Sequence, residues 1–230
     1  MMEYLPIMVR LEGKIGLVVG QGTLAAGKAE QLFNAGAWVT LVAPELHSRL
    51  EPAYQQGRLT WHNRPFRDTD LDDAFIVFTT SGDTGLDRHI YELSEAMGKL
   101  VNVVDVPTNA NFIMPAIVNS GPVQVAVSSA GRSPILAMRL RDKINDYFMG
   151  PEVGVLAEYL GEWRPRVKAT LKTYDGKRLY WQRVFQSEAP VLVKNGSREE
   201  ADQILSELLE HMAIHEDELA VHVPLELTSP

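Results

Sequence analysis

The chain has 230 residues, 45% of them apolar and 23% charged, the balance of a globular protein with room for one large or two small cores. It has no cysteine, which excludes disulfides, thiolate metal sites and cysteine nucleophiles, and no apolar run near the roughly 18 residues of a membrane span. The net charge of −8 is unevenly spread: residues 187–230 hold 10 acids and 2 bases, residues 132–186 hold 11 bases and 6 acids, and residues 1–131 hold 9 bases and 14 acids. The basic middle segment suits either an anionic ligand or a solvated helical face. Met1-Met2-Glu3-Tyr4-Leu5-Pro6 lacks the basic start and long apolar stretch of a signal peptide, so a cytoplasmic protein that neither enters membranes nor binds nucleic acid is expected.

In chain order, Ile15 to Val19 is a short aliphatic run ending in glycine and reads as a buried parallel strand. Helical spacing follows from Ala25 to Ala35 and stops at Gly36. Trp38–Val42, Leu59–His62, Phe75–Thr79 and Leu100–Val104 read as further strands, with a helix from about Thr84 to Met97. This alternation predicts an α/β fold: a Rossmann-type parallel sheet covered by helices on both faces. Phe112–Val118 and Val123–Ser128 read as strands joined by a turn at Asn119-Ser120-Gly121-Pro122. Ser133 then caps a helix that begins at Pro134 and runs to about Phe148. Glu152 to Phe185 is mostly helical. Ser197-Arg198-Glu199-Glu200 signals a capped helix to Ala213, and residues 214–230 have no period and read as a loose acidic tail.

Gly20-Gln21-Gly22-Thr23-Leu24-Ala25 joins the first strand to the first helix. One glycine makes the tight turn, and the other lets backbone approach a pyrophosphate with no Cβ in the way. The helix N-terminus adds free N–H groups and partial positive charge. Ala43, Pro44 and Glu45 end the second strand; Glu45 stands where a carboxylate could meet the adenine ribose, or is a surface loop acid. No arginine cluster follows to receive a 2′-phosphate, which favours NAD over NADP. Thr80 and Val104, at the ends of later strands, complete the expected cofactor set of Gly20, Gly22, Thr23, Leu24, Ala25, Ala43, Pro44, Glu45, Thr80 and Val104. Asp105 follows a buried strand at the carboxyl edge of the sheet, where open α/β folds bind ligands, and is either a loop cap or a general base.

Taken in order, Leu5-Pro6-Ile7, the glycine turn through Lys28-Ala29, Asn102-Val103-Val104-Asp105-x-Pro107, Phe112-Ile113-Met114-Pro115-Ala116 and Val125-Ala126-Val127-Ser128-Ser129-x-Gly131-x-Ser133-Pro134 resemble the siroheme synthase N-terminal module. The resemblance spans roughly residues 3–185. It implies NAD-dependent oxidation of precorrin-2 to sirohydrochlorin, with Asp105 catalytic. In many members it also implies insertion of ferrous iron, which is then a substrate and not a resident metal. It further implies a homodimer whose subunit has a Rossmann domain (1–112), a small α+β dimerisation segment (113–149) and a C-terminal helical domain (150–213), followed here by the tail (214–230). Larger relatives carry a methyltransferase domain that this chain is too short to hold, so uroporphyrinogen methylation is expected elsewhere. The sequence departs from the family pattern at Gly27, at Thr79-Thr80-Ser81-Gly82-Asp83 and at Asp87, all on the cofactor side.

A tetrapyrrole with eight carboxylates needs cations and backbone donors. Ser128, Ser129, Gly131, Arg132 and Arg139 are the expected substrate-binding residues, their alternative being a helix cap with interface arginines. Arg141, Arg164, Arg166 and Lys168 are similarly ambiguous. No metal site is expected: His211 and His215 share helical spacing but read as a solvated face. Two other functions compete. A nonenzymatic NAD-sensing regulatory module would explain the glycine turn but not the later motifs. A short-chain reductase needs a Tyr-x-x-x-Lys pair, and none is found: Tyr174-Asp175-Gly176-Lys177 has only two residues between Tyr and Lys, and a turn-like composition unsuited to a catalytic helix.

Overall fold

A computed structural model describes residues 4–215. The chain divides into two compact units, one comprising residues up to Met114 with Ala130–Ser133, the other comprising Pro115–Ser129 and residues from Pro134 onward.

The first unit is built on a five-stranded parallel sheet: β1 (Ile15–Gly20), β2 (Trp38–Val42), β3 (Leu59–His62), β4 (Ala74–Thr80) and β5 (Leu100–Val103), in the order β3-β2-β1-β4-β5. Three helices accompany it: α1 (Gly22–Asn34), α2 (Glu51–Gln55) and α3 (Thr84–Ala96). Side chains of β1 alternate between two cores. Val18 packs with Ala25, Ala29 and Leu32 of α1, and Leu17 and Val19 pack on the other face with Ile90 of α3. Gly16 allows α1 to close on the sheet, because a Cβ there would lie 2.6 Å from a Leu32 methyl. Burying Leu32 fully contributes about 1.5–3 kcal/mol.

The second unit begins with an antiparallel hairpin, β6 (Ala116–Ser120) and β7 (Val123–Val127), closed by the two-residue loop Gly121-Pro122 with Gly121 at φ +52°. Five helices follow among the described residues: α4 (Pro134–Phe148), α5 (Pro151–Thr170), α6 (Tyr174–Gln186), α7 (Ala189–Lys194) and α8 (Arg198–Ile214). Pro134 is the first helical residue of α4, as expected. Tyr159, Trp163 and Val167 form one stripe of α5, continued by the cap residue Leu171, and meet Ala201, Leu205, Leu209 and Met212 of α8. The Asp202 carboxylate accepts from Tyr159 Oη (2.7 Å) and Trp163 Nε1 (3.0 Å), and Tyr180 Oη donates to the Leu205 carbonyl (3.1 Å). Burial and the Asp202 carboxylate push the Tyr159 hydroxyl up, and burial does the same to Tyr180, so both remain donors.

Several local expectations need correction. The helix after the glycine turn starts at Gly22 and not Ala25, because the turn itself supplies its first residues. The strand expected from Phe112 starts only at Ala116. Phe112 instead plugs the first core, stacked edge-on against Phe78 at 5.4 Å, with its carbonyl held by Asn102 Nδ2. Tyr174-Asp175-Gly176-Lys177 is the first turn of α6, with Thr173 Oγ1 accepting from the Gly176 N–H at 3.0 Å. A threonine cap therefore overrides the turn-like composition. Ser197 precedes α8 but makes no side-chain cap bond, so the capping box does not form. Ile214 ends α8, and residues 216–230 of the expected tail lie outside the described residues. Among the described residues no helix is long and apolar enough to cross a membrane.

Candidate active site

Parallel strands end together, and the register shows which residues meet at this sheet's carboxyl edge. Val19 lies opposite Val42 on one side and Thr79 on the other, and Thr79 lies opposite Val103. One step further on, Ala43, Gly20, Thr80 and Val104 form a row across four neighbouring strands. Strand order reverses between β1 and β4, so Gly20 and Thr80 flank the switch point where open α/β sheets bind ligands.

The two glycines have different tasks. A Cβ on Gly20 would lie 2.7 Å from the carbonyl carbon and oxygen of Thr80, so Gly20 serves the close approach of β1 and β4. Gly22 has φ +77°, and a Cβ there would meet nothing within 4 Å. The first turn of α1 holds no acid to compete for its free N–H groups. Thr23 and Leu24 are exposed beside the opening, whereas Ala25 is buried against the sheet. Thr80 Oγ1 is buried and has no hydrogen-bond partner. Open space at Gly22, unengaged helix donors and an orphaned hydroxyl together fit a dinucleotide phosphate group.

Ala43 is held by the neighbouring strand: its N–H donates to the His62 carbonyl (3.2 Å), and its carbonyl accepts from Trp61 Nε1 (3.0 Å). Pro44 and Glu45 follow it into solvent. Arg49, the nearest cation in sequence, pairs with Glu30 through both carboxylate oxygens.

Val104 N–H donates to the Thr79 carbonyl at 3.0 Å, carrying the pairing one residue past β5. The Val106 N–H then closes a turn onto the Val103 carbonyl at 3.1 Å, with Asp105 at φ +66°. Asp105 and Ala130 are the two non-glycine residues with positive φ among those described. Aspartate tolerates this conformation better than most residues. The turn leaves the Asp105 carboxylate exposed at the edge that carries Gly20 and Thr80.

Two contributors escaped the sequence reading. Lys28 of α1 lies over the Phe78 ring, 5.2 Å from its centroid. Burial lowers its pKa, and attraction to Asp105 acts in the opposite direction, which makes Lys28 the electrostatic neighbour of that carboxylate. Its place in the glycine motif was the only signal. Asp87 is buried at the start of α3 and accepts from Thr79 Oγ1 and from Ser81 Oγ (2.6 Å). It fixes the segment after β4 that was noted only as a departure from the family pattern.

The expected substrate residues are divided. Gly131 and Arg132 fall in the first unit, and Ser128, Ser129 and Arg139 in the second. No group of three or more potential metal ligands occurs among the described residues; His211 of α8 and His215, the residue that caps it, have ring centroids 4.9 Å apart.

Three family models match in order: an NAD(P)-binding model over residues 7–116, "Sirohaem biosynthesis protein central" over 120–147 and "Sirohaem synthase dimerisation region" over 152–209. This ordered set is what decides the likeness. The chain is similar, in order along residues 7–209, to the N-terminal module of siroheme synthases. The model named for dimerisation falls on the α5–α8 bundle, whereas the sequence reading attached that role to residues 113–149. The siroheme synthase of Photorhabdus laumondii subsp. laumondii is 39% identical over 209 residues, 91% of this chain and 44% of that protein. The siroheme synthase of Neisseria meningitidis serogroup C is 38% identical over 209 residues, 91% of this chain and 43% of that protein. The module thus spans under half the length of these relatives. A solved structure titled SirC, precorrin-2 dehydrogenase has the same fold, with a TM-score of 0.72 at 22% identity, covering 89% of this chain and 100% of that one.

Proposed function

We propose that this module oxidises precorrin-2 to sirohydrochlorin with NAD, as a homodimer in the cytoplasm. The observation that carries the reading is the row Ala43, Gly20, Thr80 and Val104 at the switch point, with the exposed Asp105 carboxylate one residue beyond it. The printed names of the relatives and of the structural neighbour support the substrate and pathway. The match to the dimerisation model supports the homodimer.

NAD supplies a hydride acceptor when bound. Gly22, Thr23 and Leu24 would admit its phosphates to the N-terminus of α1, and Thr80 would offer its hydroxyl at the strand end. Glu45 is an exposed carboxylate available to a ribose, and Arg49 is already engaged by Glu30, which together support NAD over NADP. Oxidation removes a hydride and a proton from the macrocycle, and Asp105 would accept the proton as general base. Ser128, Ser129, Gly131, Arg132 and Arg139 remain the proposed carboxylate-binding residues. A regulatory NAD sensor would not need an exposed carboxylate in a left-handed turn at the cofactor edge.

Replacing Asp105 with Asn tests the proposal, since Asn also tolerates positive φ. Sirohydrochlorin formation should fall by about 10²–10⁴-fold while NAD binds with unchanged affinity. Full turnover would remove Asp105 from the mechanism. Ferrous iron added after oxidation provides a second readout: a siroheme spectrum assigns iron insertion to the module, and an unchanged sirohydrochlorin spectrum limits it to dehydrogenation.

A further inference from the structure

The second unit carries a cavity of about 880 Å³ between α5 and α6, a size typical of small-molecule sites. Four cations line it: Arg164 and Lys168 from α5, and Lys177 and Arg178 from α6. No carboxylate is among the lining residues, although the chain as a whole carries a net charge of −8. Like charges gathered on one wall repel each other, and an anion in the cavity relieves that repulsion. Arg178 adds a sharper sign. It is ion-paired with Asp175 at 3.6 Å, yet its buried Nε makes no hydrogen bond. A buried N–H without an acceptor is a donor that a ligand oxygen can satisfy.

Helical spacing on α6 also sets Tyr174, Trp181 and Phe185 along the same wall. Cations beside aromatic rings suit a ligand with a flat π-face and an anionic rim, because the rings stack on the face while the cations bind carboxylates. We infer that the cavity between α5 and α6 is a binding site for a planar macrocyclic polycarboxylate. That the ligand is a macrocycle, a tetrapyrrole, rests on the proposed function; its anionic charge and flat aromatic face rest on the lining residues. Simple phosphates match the cations but leave the three rings unused.

Uroporphyrin, an octacarboxylate macrocycle needing no redox step, is a suitable probe, titrated calorimetrically into the full chain without NAD. The Arg164→Gln/Lys168→Gln double variant changes two exposed side chains and should keep the wild-type melting temperature. It should bind uroporphyrin at least about tenfold more weakly, as loss of charge-assisted hydrogen bonds implies. Arg88→Gln, an exposed cation on α3, should bind as wild type does. Equal affinity of the double variant and wild type, equal weakening by Arg88→Gln, or displacement of the probe by NAD would each overturn the proposal. Binding is read without turnover, so it can fail while oxidation of precorrin-2 stands. Conversely, pocket-dependent binding in a chain that oxidises nothing would leave the cavity assigned and the proposed function rejected.

Discussion

Gly20 and Gly22 look alike in the sequence, yet their surroundings separate structural from ligand-facing roles. At Gly20 an added Cβ meets the Thr80 backbone, so Gly20→Ala should lower the melting temperature, with backbone strain alone costing about 1–2 kcal/mol. At Gly22 the space is open, so Gly22→Val should fold, with a similar strain, and lose NAD binding by far more than it loses stability. Comparing melting curves with NAD titrations for the two variants checks the division. Lys28 gives a chemical prediction at the same scale. An ammonium whose pKa is lowered by burial becomes nucleophilic at lower pH than ordinary lysines. Mass spectrometry after brief acylation over a rising pH series should find Lys28 modified ahead of Lys99, whose ammonium donates to the Asp72 and Ala74 carbonyls at 3.0 and 2.7 Å.

Between residue and whole molecule, a few polar locks fix the elements. Arg64 donates to both carboxylate oxygens of Asp70, which also accepts the Arg67 N–H at 2.8 Å, pinning the segment between β3 and β4. Burial pushes the Asp70 carboxyl up, but these bonds and the Arg64 charge outweigh it and hold the pKa below its ordinary value. A carboxyl depressed on folding stabilises the fold above its unfolded value of about 4 and loses that contribution as the pH falls through its folded value. Asp70→Asn should therefore cost about 1–3 kcal/mol at pH 7, and denaturant curves should show the gap closing as the medium becomes acidic. In the second unit Ser120 Oγ donates to the Gly150 carbonyl (2.8 Å) and accepts from the Gly154 N–H (3.0 Å), tying the hairpin to α5. A Cβ on Gly154 would lie 2.8 Å from the Gly121 nitrogen, so Gly154→Ala should destabilise by more than the few tenths of a kcal/mol typical of a surface change.

On the scale of the whole molecule, legibility followed the physics of each region. Short apolar runs rich in β-branched and aromatic residues favour buried strands, so β1, β4 and β5 were visible in the sequence, as was the strand-turn-helix around Gly20 and Gly22. Asp105 was placed correctly because it directly follows such a run. Its left-handed backbone and its electrostatic influence on Lys28 were not visible, since both depend on a turn and a helix brought together by folding. The break between α5 and α6 was also hidden, because a single Thr173 cap converts a turn-like tetrapeptide into helix. The basic cavity spans two helices, so its lining appeared in sequence only as a local excess of positive charge. Ile135, Met138 and Phe148 of α4 are exposed apolar residues, and the proposed homodimer should appear in sedimentation equilibrium at twice the chain mass.

The central claim is that the carboxyl edge of this sheet brings NAD and a tetrapyrrole into one oxidation. Purified protein should be mixed with precorrin-2 and NAD, and the nicotinamide and macrocycle spectra recorded together. The account predicts one NADH for each sirohydrochlorin formed, with no change when NAD is omitted. Sirohydrochlorin appearing no faster than in protein-free controls, with NAD bound but not reduced, would contradict it.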